Sequence, residues 1–194
     1  MKLRKALIII VLLLGYNMLF SQNSQALQAL WNIKTYYGKQ YDKALDANYP
    51  CIGLKLNRFF AKWINAGVFV NGGTYKYGLT YYENNNSILY DSDCRDLFWK
   101  YGIDTEFHPN LLLFPNFRVV DVYFDAYFGA SSYTSDYWSS KHQFLYGAGI
   151  GIVMNLSRHF GLFYERDYDN VNTKFQDNEE KIKAMNCFGL NIRF

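Results

Sequence analysis

The segment His142–Leu156 alternates in character from one residue to the next, and this pattern defines a single long β-strand. One face is apolar and largely aromatic or branched: Phe144, Tyr146, Ala148, Ile150, Ile152, Met154 and Leu156. The other face is mostly small or polar: Gln143, Leu145, Gly147, Gly149, Gly151, Val153 and Asn155. A period of two excludes a helix, and the length exceeds the usual five or six residues of strands in globular proteins.

Seven further segments show the same period, which gives eight predicted strands. The predicted strands are Leu30–Gly38, Cys51–Phe59, Ile64–Gly73, Leu97–Phe107, Val119–Ser131, His142–Leu156, His159–Tyr168 and Lys183–Phe194. Short connections at Phe60–Trp63 and Ser157–Arg158 alternate with long polar ones. The long connections are Lys39–Pro50, Thr74–Asp96, Tyr133–Lys141 and Asp169–Ile182. The apolar stretch His108–Phe117 is either an extension of a strand or an apolar loop.

This organisation predicts an all-β fold, an eight-stranded antiparallel up-and-down transmembrane β-barrel. Strands of ten or more residues match the roughly 9–11 residues of a tilted membrane strand. A glycine-rich polar face fits the narrow interior of eight strands, whereas large aromatic side chains fit better outside. The alternative is a soluble barrel of the lipocalin kind, with its apolar face inward and a lipophilic ligand inside.

The N-terminus has the pattern of a secretory signal peptide. Lys2, Arg4 and Lys5 precede the apolar run Ala6–Leu14, and Ser21 is a suitable small residue at the cleavage site. We therefore predict a cleaved segment at residues 1–21 and a barrel domain at 22–194. Cleavage removes three of the 20 basic residues and none of the 17 acidic ones, so the mature net charge is zero. Binding to nucleic acid is not expected of such a chain.

The last residues alternate strictly and end on Phe194. With the export signal, this resembles the small eight-stranded outer-membrane barrels, such as the OmpA transmembrane domain, OmpX and the opacity proteins. Their assembly signal reads polar, any, Gly, two of any, hydrophobic, any, aromatic. Gly189, Ile192 and Phe194 match it, while Cys187 stands where a polar residue is expected. The resemblance implies surrounding outer-membrane lipids, delivery by periplasmic chaperones and insertion by the barrel-assembly machinery.

If the apolar face meets lipid, the other face places charged side chains inside the barrel. The predicted lumen charges are Lys34, Lys55, Lys100, Asp104, Glu106, Asp121, Asp125, Glu165, Asp167 and Arg193. Because isolated buried charges are costly, acids and bases there should pair. The result is either an ionic plug or a polar path for ions and small solutes, and eight strands favour the plug.

Catalysis is not predicted, and neither is a cofactor or a metal site. An enzyme acting on lipid A would need a nucleophile and a base on the outer rim. His142, with Asp136, Ser139 and Ser140 just before it, lacks the His-x-Ser motif of the lipid A deacylases. We expect instead a structural or interaction role, in which tyrosine- and asparagine-rich loops contact extracellular ligands. A narrow channel is the second hypothesis and a lipid A-modifying enzyme the third.

The three cysteines, Cys51, Cys94 and Cys187, have a spacing that matches no metal motif. Two alternatives remain open for them. One pair could form a disulfide in an oxidising compartment, most plausibly with Cys94. Equally, the cysteines could be small buried residues that carry free thiols.

Overall fold

The computed structural model describes residues 31–42, 47–79, 92–114, 119–135, 141–170 and 183–194. These ranges contain eight strands and one short helix. The strands are β1 (Trp31–Asp42), β2 (Ala47–Ala61), β3 (Ile64–Leu79), β4 (Ser92–Phe107), β5 (Val120–Ser135), β6 (Lys141–Asn155), β7 (Phe160–Asp169) and β8 (Lys183–Arg193). The helix α1 (Pro109–Leu113) lies between β4 and β5. The predicted signal peptide, residues 1–21, lies outside the described ranges.

Each strand pairs antiparallel with the next, and β8 pairs with β1, so the sheet closes on itself. At the seam the Trp31 amide donates a hydrogen bond to the Phe194 carbonyl at 2.9 Å. The Phe194 amide donates in turn to the Trp31 carbonyl at 3.1 Å. This confirms the predicted fold, an eight-stranded antiparallel up-and-down β-barrel.

The predicted strand bounds are wrong at the end of the barrel that carries the long connections. There the strands continue beyond the predicted bounds. The β1–β2 ladder runs to the pair Asp42 and Ala47, inside the predicted loop Lys39–Pro50. The β3–β4 ladder runs to the pair Leu79 and Ser92, inside the predicted loop Thr74–Asp96. Ladder hydrogen bonds come from the backbone and do not require apolar side chains. The change to polar residues therefore indicates where contact with lipid ends. It does not indicate where the strands end.

The stretch His108–Phe117, which the sequence left open, begins as the short helix α1. Pro109 starts the helix, a position that needs no backbone N–H donor. Asn110 fixes the helix to β5, because its side chain donates to the Val120 carbonyl at 3.0 Å and accepts from the Val122 amide at 3.1 Å. Within the part of the chain that is described, no helix is long and apolar enough to span a bilayer.

The two faces of the barrel wall have opposite character. Large apolar side chains point outward on every strand, and Ile52 and Phe144 are 69% and 64% exposed. The side chains pointing inward include lysines, aspartates, glutamates and asparagines that are almost fully buried. A soluble lipocalin-type barrel has the reverse arrangement, so this alternative is wrong for the described strands. The outer surface suits the hydrocarbon of a bilayer, where closed barrels satisfy all their backbone hydrogen bonds.

Glycines on the inner wall make room for tyrosines from neighbouring strands. A Cβ atom on Gly151 would lie 2.1 Å from Cζ of Tyr123, and one on Gly147 would lie 2.3 Å from Cζ of Tyr127. Both distances are shorter than any contact between non-bonded carbon atoms, so a side chain at either position would clash with the ring. The glycine-rich face of β6 is thus the surface on which two rings of β5 rest.

Candidate functional site in the barrel lumen

At the end of the barrel where the short turns lie, the side chain of His108 contacts two acidic residues. Its Nδ1 lies 3.0 Å from Oδ2 of Asp121, which also accepts a hydrogen bond from Nη2 of Arg193 at 2.8 Å. Its Nε2 lies 3.0 Å from Nδ2 of Asn65 and 3.5 Å from Oε2 of Glu106. His108 follows the last residue of β4. Burial lowers the pKa of its imidazole, but the hydrogen bonds to Asp121 and Glu106 outweigh this and raise the pKa overall.

Two lysines and their counter-charges fill the middle of the lumen. Nζ of Lys34 lies 2.5 Å from Oε1 of Glu106 and 3.5 Å from the centre of the Tyr123 ring. Nζ of Lys55 donates to Oε1 of Glu165 at 2.7 Å and lies 3.5 Å from Oδ2 of Asp125. The Tyr123 hydroxyl donates to the other Glu165 oxygen at 2.6 Å. Charges and rings thus interlock across the width of the barrel.

Nearer the long connections, Lys100 is held by two residues that the sequence analysis missed. Its Nζ donates to Oδ2 of Asp169 at 2.5 Å and to Oε1 of Gln40 at 2.9 Å. Both partners have the parity of lumen residues on their strands, Asp169 after Glu165 and Asp167 on β7. They were missed because both had been assigned to loops. Had the alternation been followed two residues further, it would have found them.

The structure places the predicted charges of the lumen on the inner wall. All are buried except Arg193, which is partly exposed. Not all of them meet an oppositely charged side chain closely. Asp104 accepts a hydrogen bond from Nδ2 of the neutral Asn57 at 2.9 Å. Asp125 has Nζ of Lys55 3.5 Å from its Oδ2, but neither of its oxygens accepts a hydrogen bond from a described residue.

Acids outnumber bases in the described part of the lumen. Seven buried carboxyl groups line it: Asp104, Glu106, Asp121, Asp125, Glu165, Asp167 and Asp169. The lumen holds four basic side chains, those of Lys34, Lys55, Lys100 and Arg193. The surplus of three negative charges falls to two when His108 is protonated. Bound protons or a bound cation would balance this surplus.

Three solved structures of bacterial proteins share this fold. The Neisserial surface protein A matches with a TM-score of 0.58 at 10% identity, over 84% of this chain and 96% of that one. OprG, an outer membrane protein from Pseudomonas aeruginosa, matches with a TM-score of 0.60 at 11% identity, over 84% and 95%. CarO from Acinetobacter baumannii matches with a TM-score of 0.50 at 12% identity, over 88% and 100%. This is the fold of the small outer-membrane β-barrels. No protein-family model and no curated protein matches the sequence.

In this outer-membrane barrel fold, the residues of the predicted assembly signal lie on the closing seam. Gly189 passes so near β1 that a Cβ atom there would lie 1.9 Å from the Thr35 carbonyl oxygen. Ile192 pairs with Ile33 of β1, and Phe194 is exposed at the end of the last strand. Recognition by an assembly machinery remains a prediction, but glycine at position 189 has a packing reason of its own.

The residues weighed for catalysis do not form one site in the described barrel. His142 is exposed at the start of β6, His159 is exposed in the β6–β7 turn, and His108 is buried between Asp121 and Asn65. Asp136, Ser139 and Ser140 lie outside the described residues, as does most of the tyrosine-rich connection between β3 and β4. The hydrogen bonds of the described rings join His108 to Asp121 and Asn65 and His159 to the Arg193 carbonyl, and neither of these two rings to a hydroxyl or thiol group.

Of the two alternatives for the cysteines, the structure shows buried thiols. Cys51 and Cys187 are both buried and free, so the possible disulfide is wrong for them. The side chain of Cys94 lies outside the described residues.

Proposed function

We propose that this chain is an outer-membrane protein with a structural and interaction role, whose lumen is closed and whose long connections face the outside of the cell. The lumen carries this proposal. Its central lysines, Lys34 and Lys55, are bound to Glu106 and Glu165, and all four side chains are buried. Eight strands enclose room for side chains only, and here charged pairs and tyrosine rings occupy that room.

The outer surface supports the location. Its exposed apolar side chains include Leu54 on β2 and Val68 on β3, with aromatic residues such as Trp63 in the turn between these strands and Trp99 on β4. A contiguous apolar surface on a water-soluble monomer would favour aggregation. Lipid is the medium in which this surface is stable, and aromatic girdles are typical of membrane barrels.

Unequal strand lengths support the display of loops. β3, β4 and β5 have 16 residues each, whereas β7 and β8 have 10 and 11. Since about 9–11 residues cross a bilayer, the longer strands extend beyond it on the side of the long connections. Contacts with extracellular ligands would be concentrated on this taller side of the barrel.

Conductance across a planar lipid bilayer tests the closed lumen. We expect the purified, folded protein to give no discrete current steps, because Lys34, Lys55 and Lys100 and their partners occupy the cross-section. A matched variant, Lys55→Ala with Glu165→Ala, removes one central pair and should admit measurable current. Regular cation-selective steps from the unmodified protein would instead support the second candidate, a narrow channel, which the surplus of lumen acids favours.

The outward role needs a separate experiment. Replacing residues 80–91 with a Gly/Ser linker of equal length should leave folding intact and reduce binding to host or matrix ligands on whole cells. A matched replacement of residues 171–182, between the shorter strands β7 and β8, tests whether the effect belongs to the taller side. Equal binding by both variants and by the unmodified protein would contradict a display role for these connections. Unchanged lipid A mass profiles after gene deletion would remove the enzyme hypothesis.

A further inference from the structure

Two thiols approach each other over a glycine in the upper lumen. Gly38 of β1 pairs with Cys51 of β2 on one side and with Cys187 of β8 on the other. A Cβ atom on Gly38 would lie 2.7 Å from Sγ of Cys51 and 3.2 Å from Sγ of Cys187. The missing side chain of Gly38 leaves the space into which both sulfur atoms extend.

These thiols are badly placed for a disulfide. They belong to strands separated by β1, so their Cα atoms are about two strand spacings apart, roughly 9–10 Å. A disulfide needs Cα atoms no more than about 7 Å apart. The two sulfur atoms can share a common ligand without any such approach of the backbone.

A third sulfur and a carboxylate complete the cluster. The Cys51 thiol donates to Sδ of Met185 at 3.5 Å, and the Cys187 thiol lies 3.8 Å from Oδ2 of Asp167. Donor atoms of Glu165, Asp167 and Cys187 lie within 4.8 Å of one another. Asp167 is 1% exposed, and its Oδ1 accepts no hydrogen bond from any described residue. This oxygen faces Gly149, as does Oδ1 of Asp125, and such deeply buried acidic oxygens without a donor indicate a missing positive charge in this part of the lumen.

We propose that this cluster binds a soft metal cation, with Cys51 and Cys187 as thiolates, Met185 as thioether and Asp167 as carboxylate. Thiolate and thioether donors favour Cu⁺ and, less strongly, Zn²⁺. The site lies where the described lumen has surplus negative charge. The nearest lysines do not substitute for the metal, because Lys55 binds Glu165 and Lys100 binds Asp169.

A cavity of about 10 Å³, room for about one water molecule, lies beside the cluster. It is lined by Asp167 and Met185 and by Lys55 and Lys100, whereas neither cysteine borders it, so the space between the thiols is the one that Gly38 leaves. No spacing motif marks this site in the sequence, because its donors come from β2, β7 and β8. Only the closed barrel brings them together.

Cu⁺ itself is the probe for the test. The folded, fully reduced protein in detergent is titrated against a coloured Cu⁺ chelator, and we expect it to withdraw one equivalent. The Cys51→Ser/Cys187→Ser variant should withdraw none, whereas the matched control Cys94→Ser should bind like the unmodified protein. Met185→Leu should weaken binding by roughly tenfold or more, at least the effect of losing an outer-shell partner. Affinity should rise with pH, because both thiols lose protons on binding.

Reactivity of the thiols tests the site without variants. In the folded, unmodified protein, a small alkylating reagent should label Cys51 and Cys187 slowly through transient opening of the barrel, and Cu⁺ should suppress this labelling and leave Cys94 reactive. Mass spectrometry of the tryptic peptides reads the protection of each cysteine. No withdrawal of Cu⁺ by the unmodified protein, or equal affinity in the double serine variant, would overturn the proposal. The surplus charge would then be balanced by protons shared among Glu165, Asp125 and Asp167.

Discussion

At the scale of single residues, the lumen combines costly groups that are acceptable only together. Glu165 is fully buried, and it is bonded to both Lys55 and the Tyr123 hydroxyl. Taking either charge out of water costs several kcal/mol, which the mutual attraction and the extra hydrogen bond offset. Removing one partner leaves the other charged, buried and unpaired. The loss of folding free energy on such a substitution is therefore larger than the net stabilisation that the pair contributes.

Glu165→Leu is therefore expected to destabilise the barrel by about 3 kcal/mol, the lower end of the effect of breaking a buried pair, because Lys55 keeps Asp125 nearby. The measurement is urea-induced unfolding in lipid vesicles, followed by tryptophan fluorescence. Arg166→Leu, one residue away on the outer face of β7, is the matched control and should shift the midpoint little. Equal midpoints for both variants would mean that Glu165 does not stabilise the lumen.

Gly151→Ala is a second test at this scale. The added methyl group would meet the Tyr123 ring at 2.1 Å, so the ring and its hydrogen bond to Glu165 would have to move. Overpacking of this kind costs about 1–3 kcal/mol. Gly161→Ala, whose nearest contact would be at 3.0 Å, is the control and should cost less. A larger loss in Gly161→Ala, measured by the same unfolding experiment, would show that Tyr123 has room to adjust.

At the scale of strands, the sequence predicts the inward or outward direction of a side chain well only where the two faces of the strand meet different surroundings. In β6 one face meets lipid and the other meets tyrosine rings, so Phe144 and Gly151 are readily assigned to opposite faces. Beyond the bilayer both faces of a strand are free to be polar, so the contrast between faces that would have marked Gln40 and Asp169 as lumen residues is lost. The partners in the lumen could not be predicted, because Lys34 and Glu106 are 72 residues apart and meet only through barrel closure.

The last strand makes two separable contributions, which two variants distinguish. Phe194→Ala keeps the backbone hydrogen bonds with Trp31 and removes the aromatic ring, whereas deletion of Phe194 removes both. If the ring is an assembly signal, Phe194→Ala should lower outer-membrane levels in cells yet fold normally from urea into detergent. The deletion should also unfold more easily in vitro. Normal membrane levels of Phe194→Ala would contradict the signal and leave a role in the seam alone.

At the scale of the whole molecule, closure of the sheet gives a compact body without free strand edges. Closed membrane barrels of this kind resist detergent until heated. We expect the unheated protein from the outer-membrane fraction to migrate on a gel as a compact band and the boiled protein as an unfolded one. A protein found in the soluble fraction, with no change of mobility on boiling, would contradict both the location and the outward apolar face.

The seam between Trp31 and Phe194 also sets the order of events in making the protein. The first strand finds its second neighbour only when the final residues are available, so no N-terminal part of the chain can reach a closed state alone. Until then every strand exposes an apolar face to water, and such chains aggregate readily. If the chain is exported as its N-terminus predicts, we expect it to be kept unfolded and shielded by periplasmic chaperones until the last strand is available. Loss of this shielding should then lower the level of this protein more than that of proteins whose contacts are local in sequence.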